Sequence, residues 1–298
     1  MLTRLLACVV GLSLCGSSYC IQAAAAEPQP DVRTPATSAF LRLKKDEEQR
    51  PESLETAVVR YRRANRDTRA EEYVDLVGAV HIGERSYYDE LNRLFRGYDA
   101  VLYELVAPED ANVPQPGRRS GHPVGLLQVA MKNLLGLEFQ LDCVDYDRKN
   151  FVHADLSPEE FQKSMEARSE SFTKMFFRLM GQGMAQQSKD PARTSDLTVF
   201  SAFFAKDRSN ELKRAMALQM EDMEKATSVF DGPDGSTIIT ERNKRALTVL
   251  AEQQQAGKRK LAIFYGAAHL PDFDRKLRDM GYAPVETKWL AAWDFGSP

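Results

Sequence analysis

Cysteine and histidine are scarce in this chain, with four of each in 298 residues. Cys8, Cys15 and Cys20 fall in the first 26 residues, a stretch with the marks of a leader. Arg4 supplies a positive start, Leu5 to Leu14 an apolar core, and Ala24-Ala25-Ala26 before Glu27 the small residues of a signal-peptidase cut. Cleavage after Ala26 would leave Cys143 alone, which excludes an intramolecular disulfide. Long apolar runs are lacking too. A span needs about 20 apolar residues, and no segment of the chain supplies them. Strong net charge is also missing. The formal charge is −3, so no nucleic-acid partner is indicated. There is no His-Glu-x-x-His motif, which excludes a zincin-type site. These absences point to a secreted or periplasmic protein without a transmembrane segment.

What the sequence does contain is the tetrapeptide Gly-x-x-His, twice. Gly78-Ala79-Val80-His81 follows the apolar run Val74 to Val77, and Gly266-Ala267-Ala268-His269 follows Leu261 to Tyr265. An amphipathic stretch comes after each copy. The glycine is expected to let the backbone turn tightly. Each histidine then falls at the carboxyl end of a strand, where open α/β sheets place ligands. Brought together by parallel strands, the two imidazoles would form a metal site or an acid/base pair.

The expected fold is α/β: a mixed sheet with flanking helices, two strand-GxxH-helix units and a helical insertion between them. Residues 27–53, with Pro28, Pro30, Pro35 and Pro51, read as a linker containing a short helix at Ala39 to Glu47. The α/β domain then occupies 54–298. Ala57 to Arg62 and Glu72 to Val80 suit an antiparallel hairpin, and Glu84 to Arg96 a helix burying Tyr88, Leu91 and Phe95. Ala100 to Val106 and Phe139 to Tyr146 read as strands, and Gly125 to Gly136 as a helix. Ser157-Pro158-Glu159-Glu160 is a capping box that opens the insertion, which extends to about Lys225. A helix at Glu241 to Gln255, a strand at Lys260 to Tyr265, a helix at Pro271 to Met280 and a strand at Pro284 to Leu290 complete the chain. The insertion is rich in Met at helical spacing, which suits a flexible helical core or an adaptable groove for apolar peptides.

Glu104 is a lone charge in the apolar run Val101 to Val106, and a buried carboxylate needs a partner or a cation. Glu241-Arg242-Asn243 opens a helix, whose N-terminus favours anions. Arg242 is positioned to hold a substrate carboxylate or phosphate, or to pair with Glu104 or Glu241; Asn243 is positioned to orient a ligand. Glu84 reads as a general base or as an ordinary partner of the helix dipole. His153 is a third imidazole, either a ligand or a substrate contact. His122 lies in a polar loop, and Cys143 reads as an inert core thiol.

The two Gly-x-x-His motifs, Tyr103-Glu104-Leu105, Glu241-Arg242-Asn243 and the segment Asn150 to Asp155 together resemble the TraB/GumN/TIKI superfamily. The resemblance covers roughly Tyr73 to Trp289. It implies a divalent-metal-dependent hydrolase, peptidase-like, acting on peptides or secreted proteins. Carried over by position, His81, Glu104 and His269 become the metal or catalytic set, with Arg242 and Asn243 in support. In such a metal-dependent hydrolase Glu84 or Glu241 would take the proton of the metal-bound water. The ion is a divalent transition metal, with Mn, Co, Zn and Fe all open. The alternative is a non-catalytic protein that sequesters a peptide or a metal-containing ligand.

Overall fold

A computed structural model of the chain describes residues 40–63, 72–107, 134–170, 204–225 and 236–296. The expected leader, most of the helix at Gly125 to Gly136 and the centre of the insertion lie outside these ranges. The main sheet has seven strands: β1 (Leu41–Lys45), β2 (Pro51–Arg63), β3 (Tyr73–Ala79), β5 (Ala100–Tyr103), β7 (Phe151–His153), β8 (Lys260–Gly266) and β9 (Tyr282–Asp294). Its order is β1-β2-β3-β8-β5-β7, with β9 along the other edge of β2. The segment β3-β8-β5-β7 is parallel throughout, whereas β2 is antiparallel to β1, β3 and β9. Two short strands, β4 (Ile82–Gly83) and β6 (Glu138–Phe139), pair separately.

Successive strand residues point to opposite faces, and two cores result. Val58, Val77 and Phe264 pack with Tyr87, Tyr88, Leu91 and Phe95 of helix α1 (Arg85–Phe95) on one face. Val59, Leu76 and Ile263 pack on the other face with α5 (Arg242–Gln255) and α6 (Leu270–Asp279). Each fully buried large apolar side chain stabilises the fold by about 1.5–3 kcal/mol.

The connections set the site. From β3 the chain crosses one face through α1 and returns as β5, on the far side of β8. From β8 it crosses the other face through α6 and returns as β9, on the far side of β3 and β2. The neighbouring strands β3 and β8 therefore send their chains opposite ways. That is a topological switch point, where open α/β sheets leave a crevice at the strand carboxyl ends. The two Gly-x-x-His motifs are the two lips of this crevice.

Two expectations are corrected. The stretch Ala39 to Glu47, read as a helix in a linker, holds β1, and residues 51–53 open β2. Leu41 and Leu43 alternate with Arg42 and Lys44, so the apolar side chains face one side and become buried. The strand expected over Phe139 to Tyr146 is instead β6 followed by the short helix α2 (Gln140–Cys143). There the chain pairs with β4 and the Gln140 N–H donates to His81 O, which diverts it from the main sheet. Cys143 is buried, as expected, and burial pushes its thiol pKa up.

The segment 157–225 is described at its two ends. The capping box is present: Ser157 accepts the Glu160 N–H and Glu160 accepts the Ser157 N–H at the start of α3 (Pro158–Ala167). Ser164 Oγ lies 2.8 Å from Thr237 Oγ1 in the π-helical turn Thr237–Glu241 that leads into Arg242. At the other end, α4 (Arg208–Lys225) anchors Lys213 on Asp294 O and Arg214 on Phe295 O. β9 runs in the direction of β3, so this contact also lies at the carboxyl end of the parallel strands.

Candidate functional site

Four side chains meet where the parallel strands end. Glu104 follows β5 directly, Asp155 follows β7 by two residues, His269 follows β8, and Arg242 opens α5. Glu104 Oε2 accepts the Gly266 N–H at 2.7 Å and Oε1 accepts Arg242 Nη2 at 2.8 Å. Arg242 Nε donates to Asp155 Oδ1 at 2.9 Å, and its Nη2 also reaches Asp155 Oδ2. One guanidinium is thus shared by two carboxylates. Glu104 has 13% of its side chain exposed and Asp155 none. Burial alone would raise the Glu104 pKa. At the acid pH where Glu104 titrates, protonated His269, Arg242, the Gly266 N–H and His81 outweigh it and hold the carboxyl down at about 2. Burial opposes the Arg242 charge, but Asp155 and Glu104 reverse the balance and raise its pKa.

His269 Nε2 stands 3.5 Å from Glu104 Oε1. Its other ring nitrogen, Nδ1, lies 2.7 Å from Asn243 Oδ1. The Asn243 amide nitrogen faces His269 O at 3.0 Å and Asp272 Oδ2 at 2.8 Å. Both are acceptors, so the amide NH₂ belongs there and the amide oxygen faces the ring. Nδ1 must then carry the ring hydrogen, which leaves a lone pair on Nε2 directed at Glu104. Burial pushes the His269 pKa down against the pull of Glu104, which favours the neutral ring. Two unprotonated acceptors therefore oppose each other across 3.5 Å in a largely dry place.

No protein-family model, curated protein or solved structure matches this chain.

The opposed pair suits a cation. With metal–ligand bonds near 2.1 Å, tetrahedral ligands stand about 3.4 Å apart, close to the observed 3.5 Å. The donors, imidazole nitrogen and carboxylate oxygen, are those of Mn, Fe, Co or Zn sites. His81, the third expected ligand, ends the neighbouring lip and is exposed. Among the described residues no three His, Cys, Asp or Glu side chains already enclose one point. The residues thus fit an ion as a two-donor pair, with His81 beside them.

The glycines have a different purpose from the tight turn expected of them. Gly266 has φ −50° and ψ 138°, open to any residue. What it provides is space, since a Cβ there would lie 3.3 Å from Glu104 Oε2. At Gly78 a Cβ would lie 3.3 Å from Ala57 O and from a Leu270 methyl. Gly266→Ala should displace the Glu104 carboxylate from its N–H, raise its titration midpoint and cost about 1 kcal/mol in urea unfolding. An unchanged midpoint would show that the close approach is dispensable.

Other expected site residues are held elsewhere. Glu84 Oε1 accepts Lys213 Nζ at 2.8 Å and the Asp294 N–H at 3.0 Å. Glu241 Oε1 accepts Arg168 at 3.3 Å and Lys244 at 2.8 Å. The two proposed proton acceptors are tied into helix contacts. His153 Nε2 donates to Leu105 O at 2.6 Å, which bonds the last residue of β7 to the chain just after β5. His269 is itself part of the core: it is 4% exposed, and its ring centroid lies 5.2 Å from that of Tyr265. Asp155 and Asp272 were given no role in advance. Asp155 had a usable signal, since it is a charge just past an apolar strand, as Glu104 is. Asp272 had none, because an acid in a first helical turn is commonplace.

Proposed function

We propose that this protein is an exported, divalent-metal-dependent hydrolase acting on peptides or secreted proteins. One observation carries the reading: the Nε2 of a buried imidazole and a carboxylate oxygen stand 3.5 Å apart at the switch point of the sheet. Glu104 and His269 would hold the ion, with His81 at the adjacent strand end. Such an ion polarises a carbonyl and lowers the pKa of water. The chain's own residues do the rest. Asn243 keeps the ring hydrogen on Nδ1, Arg242 keeps Glu104 ionised, and Asp155 holds Arg242. The resemblance to TraB/GumN/TIKI proteins supports peptide bonds as the target, and the leader supports a secreted or periplasmic setting.

The test is metal content by mass spectrometry, then cleavage of a peptide pool with and without chelator. Glu104→Gln keeps the shape but loses the charge. It should lose bound metal and slow cleavage at least about 100-fold. Equal metal content in parent and variant would refute the site. Metal retention without any cleavage would favour a sequestering protein instead.

A further inference from the structure

Gln140 and Tyr146 are each 7% exposed and bond to one another, Gln140 Nε2 to the Tyr146 hydroxyl at 2.8 Å. Neither is fully satisfied. Among the described residues Gln140 Oε1 is buried without a partner and the Tyr146 hydroxyl hydrogen has no acceptor. Buried polar atoms rarely go unpaired unless something else fills the place. The position is at the crevice. The Gln140 N–H donates to His81 O at 2.9 Å, and the Tyr146 ring lies 5.2 Å from that of Tyr103, next to Glu104.

We propose that the Gln140 amide and the Tyr146 hydroxyl form a main-chain subsite for an extended peptide, taking the N–H and C=O of one substrate residue. An unpaired acceptor next to an unpaired donor is the complement of such a residue, because in an extended strand one residue presents both groups to the same edge. Turning the Gln140 amide over exchanges the two roles: its oxygen would accept the Tyr146 hydroxyl hydrogen, leaving the amide NH₂ as donor and the Tyr146 oxygen as acceptor. Burial and the Glu104 charge both raise the Tyr146 pKa, so the hydroxyl keeps its hydrogen at neutral pH. Main-chain recognition leaves side-chain choice broad. The proposal rests on the peptide-hydrolase reading for its use, but its binding test is separate.

The test is fluorescence anisotropy of the full chain in chelator, so that nothing is cleaved. The probes are a fluorescein-labelled random hexapeptide pool and the same pool N-methylated at its central amide. The parent should bind the N-methylated pool about tenfold more weakly. Gln140→Ala and Tyr146→Phe should each reduce that preference at least about threefold. Tyr146→Phe keeps the ring packing, so it decides the matter if Gln140→Ala fails to fold. No preference in the parent, or an unchanged preference in Tyr146→Phe, overturns the subsite. Cleavage of the unmodified pool with added Mn²⁺ is scored separately, and its absence would overturn the hydrolase reading while leaving the binding result intact.

Discussion

Arg242→Met should lower stability by about 3–5 kcal/mol, the usual result of removing one partner from a buried ion pair. For a domain of this size that is roughly 10 °C in Tm. Met replaces most of the arginine stem, so the loss comes mainly from charge. Glu104 and Asp155 would be left as two buried carboxylates without the cation they share. The pH dependence identifies the cause. In the parent, the Glu104 pKa is depressed from an ordinary 4.5 to about 2. Its contribution is therefore complete above pH 4.5 and is lost as pH falls towards 2. In the variant, burial and the neighbouring carboxylate push that pKa up. The variant is thus penalised at neutral pH and relieved as acid protonates the group. Melting curves between pH 3 and 7 should show the parent–variant gap closing below about pH 4. A gap independent of pH would mean that Arg242 acts through packing alone.

Asn243→Leu should separate orientation from stability. Asn243 is fully buried and makes three bonds, to His269 Nδ1, His269 O and Asp272. Leucine fills the space and makes none of them. The expected loss is about 2–4 kcal/mol, mostly from polar groups left unpaired. The ring would then be free to move its hydrogen to Nε2 and donate it to Glu104, which closes the gap between the two acceptors. Metal affinity should fall about 10–100-fold, as when other oriented ligands lose their support. ¹⁵N NMR of the imidazole reads this directly, with the hydrogen on Nδ1 in the parent and on Nε2 in the variant. An unchanged tautomer would remove the orienting role assigned to Asn243.

Much of this site was legible because its signals are local. An apolar run followed by Gly-x-x-His marks a strand end whatever surrounds it, and Glu104 was out of place among its apolar neighbours. The same local view misled at Glu84. It lies three residues from His81 in sequence, but α1 begins there and its carboxylate turns to Lys213 and the end of β9. At β1 the charged run Lys44 to Glu48 obscured the two-residue alternation of Leu41 and Leu43. The bond between Arg242 and Asp155 joins residues 87 apart, and nothing near either residue announces it. Glycine at 266 invited a conformational explanation, whereas its reason, the nearness of Glu104, exists only once β5 and β8 are neighbours.

The order in which the chain arrives has its own consequence. β8 lies between β3 and β5 in space but comes about 160 residues after β5 in sequence, so those earlier strands wait for it. A chain ending before Lys260 would carry His81 and Glu104 with a missing strand between them, and neither Gly266 nor His269 to complete the crevice. Such late, long-range pairing is slow, since a large loop must close before it is rewarded. Until β8 has left the ribosome the crevice would therefore be absent, and it would appear all at once when β8 enters the sheet.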